Sequence, residues 1–339
     1  MANSASASSY SSVVHGLAVT LTLAVFPLIW VGGLVTTYDA GMAVPDWPGT
    51  YGWNMFAYPA TTWLFGPFDL MVEHSHRLLG SLAGLLSIGL VVAAFRCQTR
   101  NWFRWWSIGI LVAVIAQGVL GGARVTMDQR TFAMIHGCTG PLFFALATAT
   151  AVFSSRWWLS FSVTEPIKEA SESDSPAFST GRVAAVTATV LTVSSYLQLI
   201  VGAQLRHVTG NVNPKIFTGW VHLHLSLAAM VAVIAVLMVL LSTFGRKAPI
   251  KVRRPAQLVV LIVLVQISLG IGTWIVNYAL PWSEGSAALA AYTIESKGFF
   301  ESLIVTAHMA TGSLIISLAT MMMLRGWRSR ALAAPVEPA

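Results

Sequence analysis

Long stretches of apolar residues alternate with short polar connections along the chain. A helix that crosses a bilayer needs roughly 20 mostly apolar residues, and eight segments meet that requirement. They are 13–37, 73–95, 104–123, 131–153, 183–205, 216–243, 257–280 and 299–324. The pattern therefore predicts an all-α integral membrane protein with eight transmembrane helices.

Composition and charge support this class and exclude others. Of the 339 residues, 55% are hydrophobic and only 10% are charged, which is too apolar for a soluble globular domain. No basic stretch precedes the first segment and no small-residue cleavage site soon follows it, so we interpret it as a retained helix. Most basic residues lie in connections on the same side of the membrane as the N-terminus. The positive-inside rule then places both termini in the cytoplasm. We expect the membrane to be a bacterial inner (plasma) membrane. Topology and anionic lipid headgroups account for the net charge of +7 without a nucleic-acid partner.

A polar, serine-rich connection divides the segments into four plus four, and the two halves resemble each other. "GLVTTYDAG" (33–41) corresponds to "GAQLRHVTG" (202–210), and "QGVLG" (117–121) to "QISLG" (266–270). Because each half has an even number of helices, the repeat predicts two four-helix bundles related by a pseudo-two-fold axis along the membrane normal. The predicted organisation is an N-terminal half (1–153), a cytoplasmic linker (154–182), a C-terminal half (183–325) and a cytoplasmic tail (326–339).

Six of the eight histidines lie near the starts of the even-numbered segments, and therefore at one depth in the outer half of the membrane. They are His74, His76, His136, His222, His224 and His308. A single histidine in a membrane helix commonly only hydrogen-bonds a neighbouring helix, but that interpretation does not predict this repetition. Neutral imidazole is a frequent axial ligand of haem iron, and two pairs from two bundles indicate two haem sites. A bare metal site would favour additional cysteine or acidic ligands, and a proton relay would favour acids deeper in the membrane.

The sequence also suggests which histidines are ligands. Residues i and i+2 of a helix point about 200° apart, so only one histidine of each H-x-H can face the bundle centre. We predict His76 and His224 as ligands, with His136 and His308 opposite them. His74 and His222 are interpreted as supporting or structural residues, although the pattern leaves them open as replacements. His15 and His207 are interpreted as structural.

The halves differ in the ionisable neighbours of these histidines. Glu73 lies three residues before His76 on the same helix face, and Arg77 follows it directly. The corresponding residues in the second half are Val221 and Leu225. An i,i+4 ion pair at a helix start would explain Glu73 and Arg77. The asymmetry also fits a first half built for chemistry and a second half built to hold a cofactor.

These motifs resemble those of the haem A synthase family. The similarity rests on "GGLVTTYDAGMAVPDWP" at the end of segment 1, "EHSHR" opening segment 2, "IHG" in segment 4, and the histidines of segments 6 and 8. It implies oxidation of a ring methyl group of haem O to the formyl group of haem A, with the substrate haem in the N-terminal half and haem b in the C-terminal half. It implies Glu73 as the catalytic acid, and we place Arg77 among the cofactor-binding residues. The implied iron ligands are His76 and His136 for the substrate haem, and His224 and His308 for haem b.

Two departures and one alternative accompany the resemblance. The outer loops lack the cysteine pairs of some members, and Leu225 stands where arginine often follows the histidine of segment 6. The alternative function is a di-haem b-type electron carrier, or an oxidase assembly subunit without catalysis. Candidate protein partners are haem O synthase and terminal oxidase subunits, and self-association into a homo-oligomer stays open.

Overall fold

The structure is a computed structural model that describes residues 10–160, 175–208, 212–244, 250–278 and 298–333. All regular elements in these ranges are helices. The eight long ones are α1 (Ser12–Thr37), α2 (Phe68–Cys97), α3 (Asn101–Met127), α4 (Arg130–Ser154), α5 (Ser175–Arg206), α6 (Pro214–Phe244), α7 (Ile250–Tyr278) and α8 (Phe299–Ala333). Short helices at Ala60–Leu64 and Arg156–Ser160 and a 3-10 turn at Ala40–Met42 lie in the connections.

Each of these eight helices is long and apolar enough to cross a membrane. Their outward faces carry large apolar side chains, such as Leu85, Ile115 and Leu261, which expose 60%, 56% and 58% of their area. Such exposure would be costly in water but not among lipid tails. The protein is an integral, multi-pass membrane protein, and the predicted fold class is confirmed.

Three helix starts lie five or more residues before those predicted, and one of them is α7, which begins at Ile250 and not at residue 257. Helix α2 begins at Phe68, directly after Pro67, and not at residue 73. The prediction was wrong because the polar run Glu73–Arg77 resembled the end of an apolar segment. His76 therefore lies eight residues, or about 12 Å, along its helix at about 1.5 Å per residue. Helix α5 begins at Ser175, inside the predicted linker, and the linker's residues 161–174 lie outside the described ranges.

The helices pack in two rings of four. In the first ring α1 contacts α2, α2 contacts α3, α3 contacts α4, and α4 returns to α1. The second ring repeats this order with α5, α6, α7 and α8. Each ring has its own apolar core, which includes Leu21 and Ile110 in the first and Leu191 and Val263 in the second. Two four-helix groups with one cyclic order are what the repeat predicts, while the rotation that relates them stays a prediction.

The rings meet where α8 packs on α1 and α4. Hydroxyl pairs cross this interface: Thr148 and Ser317 oxygens lie 2.7 Å apart, and those of Thr37 and Thr306 lie 3.2 Å apart. Between membrane helices, such hydrogen bonds and close packing take the place of the hydrophobic effect. Gly33 permits the close approach, because a Cβ there would lie 2.5 Å from the Met309 methyl carbon.

Candidate functional site

The four predicted ligand residues lie as two facing pairs. The ring centroids of His76 and His136 lie 6.1 Å apart at an interplanar angle of 89°. Those of His224 and His308 lie 6.3 Å apart at 64°. A metal bound to both imidazoles, at about 2 Å from each nitrogen as in other histidine sites, would place the centroids on the order of 6 Å apart. Each pair is therefore spaced for one shared metal ion.

A glycine of the preceding helix lies against each histidine ring. The distances run from a Cβ built on the glycine to the imidazole Cε1. They are 2.7 Å for Gly32 and His76, 3.4 Å for Gly121 and His136, 3.1 Å for Gly202 and His224, and 3.0 Å for Gly270 and His308. All four glycines lie near the C-terminal ends of α1, α3, α5 and α7. We call this end of the molecule, where the N-terminal parts of the even helices also lie, the histidine end. At three of the four positions a methyl group would displace the ring, so the glycines form cradles for the imidazoles.

These contacts shift one of the predicted repeat matches by one residue. Gly32, and not Gly33, corresponds to Gly202, because Gly32 and Gly202 each contact a histidine. The alignment with Gly33 was wrong because two glycines stand side by side in the sequence. The neighbouring Gly33 faces Thr306 and Met309 of the other ring.

In each imidazole Nδ1 lies nearer than Nε2 to a Cβ built on the cradle glycine. The carbonyls beside His76, His136 and His224 belong to Leu28, Gln117 and Gln198, four residues before the respective glycine. In these three rings Nδ1 is buried without a hydrogen bond of normal geometry. In the fourth, His308 Nδ1 lies 3.1 Å from the carbonyl oxygen of Gln266. The carbonyl beside Nδ1 of His308 favours the Nδ1–H tautomer and leaves Nε2 as the ligand atom, which is the usual arrangement for metal-bound histidine.

The donor set fits haem better than a bare ion. Among the described residues there is no group of three or more His, Cys, Asp or Glu side chains that could hold a metal. Each pair offers two nitrogens, so the remaining ligands must come with the metal, as the four porphyrin nitrogens do in haem. Cradled rings with buried Nδ1 atoms are suited to such axial ligation.

The connection between α1 and α2 is held over the first pair by Glu73 and Arg77. Arg77 Nη2 donates to Glu73 Oε1 at 2.7 Å and to the Val44 carbonyl at 2.8 Å. Arg77 Nη1 donates to the carbonyls of Asp46 and Gly49 at 2.6 and 2.7 Å. The Val44 N–H donates to Glu73 Oε2 at 2.9 Å. The predicted ion pair is thus present, and it joins α2 to the loop. Its side chains retain only 9% and 4% of their accessible area, so it is not a solvated surface pair.

Other contacts dock the same loop on α2 and α3. The Trp47 ring lies against Gly122, next to the cradle glycine Gly121. Thr50 Oγ1 lies 3.2 Å from Nδ1 of His74. His74 is buried against the ring of Trp63, with centroids 4.8 Å apart. His74 therefore supports the loop.

Asp46 shapes the turn of this loop. Its carboxylate accepts the N–H groups of Tyr51 at 2.7 Å and Gly52 at 2.9 Å. Both residues have positive φ, 49° and 77°, a conformation that glycine adopts without cost. Burial favours the neutral carboxyl group, but these hydrogen bonds outweigh it and lower the pKa of Asp46.

The remaining histidines are not members of the two facing pairs. His15 Nδ1 is 3.1 Å from Ser154 Oγ, at the opposite end of the molecule. His222 is exposed. Burial lowers the pKa of His207 to about 4, and Arg206, Arg124 and Arg130 add to that effect. No site role was predicted for these arginines, although Arg124 and Arg206 interrupt otherwise apolar runs.

Fold and site together define an eight-helix membrane protein with two cradled histidine pairs suited to haem. Residues 15–218, more than half of the chain, match the model of a cytochrome oxidase assembly protein family, COX15-CtaA. The chain belongs to this family, and the resemblance to haem A synthases is confirmed. No curated protein matches the chain. The matched range contains Glu73, His76 and His136 but ends before His224, so the second pair rests on the repeat and its contacts.

Proposed function

We propose that the protein is a haem A synthase that oxidises a ring methyl group of haem O to the formyl group of haem A for terminal oxidase assembly. The observation that carries this proposal is an asymmetry. Both histidine pairs are cradled alike. The first lies under a loop held by the buried Glu73 and by Arg77, whereas Val221 and Leu225 stand at the corresponding positions of the second half. The family match over residues 15–218 supports the same reaction.

In this proposal the N-terminal half (1–153) binds the substrate haem through His76 and His136. The C-terminal half (183–325) binds haem b through His224 and His308. The bound iron supplies the redox chemistry that an unactivated methyl group requires, and the protein supplies orientation and electrostatics.

The loop residues then have two tasks. Trp47 and the backbone around Val44 cover the histidine end of the first bundle and keep water from the reacting group. Glu73 presents a carboxylate one helical turn from His76, fixed by Arg77 and the Val44 N–H. A carboxylate fixed there stabilises positive charge that develops on the methyl carbon, and either oxygen can accept a proton.

The proposed role of Arg77 is mainly to position this loop. All four of its Nη hydrogens are used by Glu73 and by three loop carbonyls. Only Nε–H is left for a cofactor, so the assignment of Arg77 as a cofactor contact is narrowed to that atom.

The membrane and the orientation that we propose are those expected from the sequence. The chain lies in a bacterial plasma membrane with both termini in the cytoplasm, where haem O synthase and terminal oxidase subunits are candidate partners. The histidine pairs then lie towards the outer face.

Paired variants separate this enzyme from a di-haem electron carrier. Glu73→Gln keeps the shape and the Val44 contact but removes the negative charge, and Arg77→Leu removes the loop clamp. We expect Glu73→Gln to bind haem in both halves and to stop or stall haem A formation, with release of a partly oxidised product. Haem A formed at the wild-type rate by Glu73→Gln would remove Glu73 from the mechanism.

The clamp variant is the matched control. If Glu73 only holds the loop, Glu73→Gln and Arg77→Leu should lose activity in parallel with increased protease cleavage of residues 38–59. If Glu73 takes part in the reaction, Glu73→Gln should lose activity while the loop stays resistant to cleavage.

A further inference from the structure

The histidine end contains two arginines without an ion pair. Three arginines, Arg77, Arg124 and Arg206, lie partly buried there among the helix ends. Glu73 is the acid that pairs with one of them, Arg77. Within the described ranges, neither Arg124 nor Arg206 has a carboxylate oxygen within 4 Å. Isolated charges in such surroundings are costly, so an anion is expected beside them.

Arg124 is built into the first site. A Cβ built on Gly41 would overlap the Arg124 guanidinium, so any side chain at position 41 would occupy the same space. It interacts electrostatically with His76, His136 and Glu73. Within the described ranges it makes no hydrogen bond and no ion pair within 4 Å. Asp39 and Asp128 also act on it, but both are exposed and screened by solvent.

Arg206 occupies the junction with the second site. It donates to the Gly33 carbonyl at 2.8 Å, to the Thr37 hydroxyl and to Met309 Sδ at 3.0 Å. All three acceptors are neutral, so the charge is held in place but not compensated. Arg206 interacts electrostatically with His308 and with Arg124.

We propose that Arg124 and Arg206 bind carboxylate side chains of the two tetrapyrroles, Arg124 at the His76–His136 pair and Arg206 at the His224–His308 pair. This inference rests on the proposed function, because it requires a porphyrin at each pair. Guanidinium binds carboxylate through two parallel hydrogen bonds. Arg206 also supplies a cation to the second half, where Leu225 stands in the place that corresponds to Arg77.

The number of arginines without an ion pair supports two such contacts. The guanidinium groups of Arg124 and Arg206 would each meet one carboxylate, which takes the place of the missing acidic side chain. Neither arginine has to leave its observed contacts. Arg124 can stay in the space beside Gly41, and Arg206 still has guanidinium hydrogens that its neutral acceptors do not use.

Binding of two porphyrins to the purified, full-length protein tests the assignment. The probes are ferric protoporphyrin IX and its dimethyl ester, which has the same ring and iron but no free carboxylates. We expect wild type to bind the acid at least about tenfold more tightly than the ester, since hydrogen bonds to charged groups are among the stronger ones. Arg124→Leu and Arg206→Leu should each weaken one equivalent of the acid about tenfold and leave the ester unchanged.

Matched variants complete the test. Arg124→Lys should recover part of the preference for the acid, and Arg130→Leu, which removes an exposed charge at the start of α4, should bind like wild type. Equal affinity of wild type for acid and ester would overturn the carboxylate assignment while leaving the haem sites intact. Failure of wild type to bind either porphyrin would overturn the proposed function itself, and the assignment with it.

Discussion

Gly32→Ala probes the cradle under His76. A Cβ at Gly32 would lie 2.7 Å from Cε1, 3.1 Å from Nδ1 and 3.4 Å from Nε2 of the imidazole. Carbon atoms in contact prefer about 3.5–4.0 Å, so the ring must move by about 1 Å. The methyl group carries no charge and leaves the carbonyl beside Nδ1 in place. The substitution therefore changes the position of one proposed ligand and little else.

The expected size of the effect follows from that displacement. Overpacking a tight contact costs about 1–3 kcal/mol, and each 1.4 kcal/mol is about tenfold in affinity. We expect Gly32→Ala to lower haem affinity at the first pair between about tenfold and a hundredfold. Gly270→Ala should act more weakly on the second pair, because the corresponding distance is 3.0 Å. Gly121→Ala, at 3.4 Å, should be nearly silent.

The assay is haem content per protein, with the visible spectrum of each purified variant in detergent. Gly16→Ala is the matched control, because it lies on the same helix α1 and a Cβ there meets nothing within 4 Å. The control should keep full haem content, since alanine is also the better helix former. Equal haem content in Gly32→Ala and Gly16→Ala, or a larger loss in Gly121→Ala than in Gly32→Ala, would refute the cradle.

Three further predictions concern the loop, the interface and pH. Arg77→Leu should make residues 38–59 more sensitive to protease while the helices stay resistant, and an unchanged digestion pattern would contradict the clamp. A double-mutant cycle of Thr148→Val and Ser317→Ala should give a coupling energy of about 0.6 kcal/mol, measured by unfolding in detergent, and a value of zero would show that the hydroxyl pair does not join the rings. The folded pKa of His207, about 4, lies below its unfolded value of about 6.5. Neutral His207 therefore contributes stability above pH 6.5 that is lost as pH falls from about 6.5 to 4. The melting temperature of His207→Gln should fall less than that of wild type over this pH range. Identical profiles of melting temperature against pH for the two proteins would count against the lowered pKa of His207.

Much of the fold could be predicted from the sequence because a bilayer imposes a simple rule on helix length. The eight segments are all present as helices. Their ends were less certain, as α2 shows: Pro67 and the apolar residues after it start the helix five residues before Glu73. Hydropathy marks where a helix is apolar and gives little information on where its first turn forms.

The histidine pairs could also be predicted, because repetition in four helices at similar positions is rare by chance. The cradle glycines could not be assigned from the sequence, since Gly32 and Gly33 stand together and only packing shows which faces His76. The burial of the Glu73–Arg77 pair depends on a loop that comes from nearly 30 residues earlier in the chain. A local helix pattern contains no information on such a contact.

Haem analysis of cells with and without this protein tests the central claim most directly. Haems are extracted from a strain that makes haem O but lacks its own haem A synthase, before and after expression of the chain, and are separated by chromatography. The proposed function predicts that haem A appears on expression and that haem O accumulates without it. If haem O stays unconverted while the purified protein carries two equivalents of haem b, the protein is an electron carrier and not a haem A synthase.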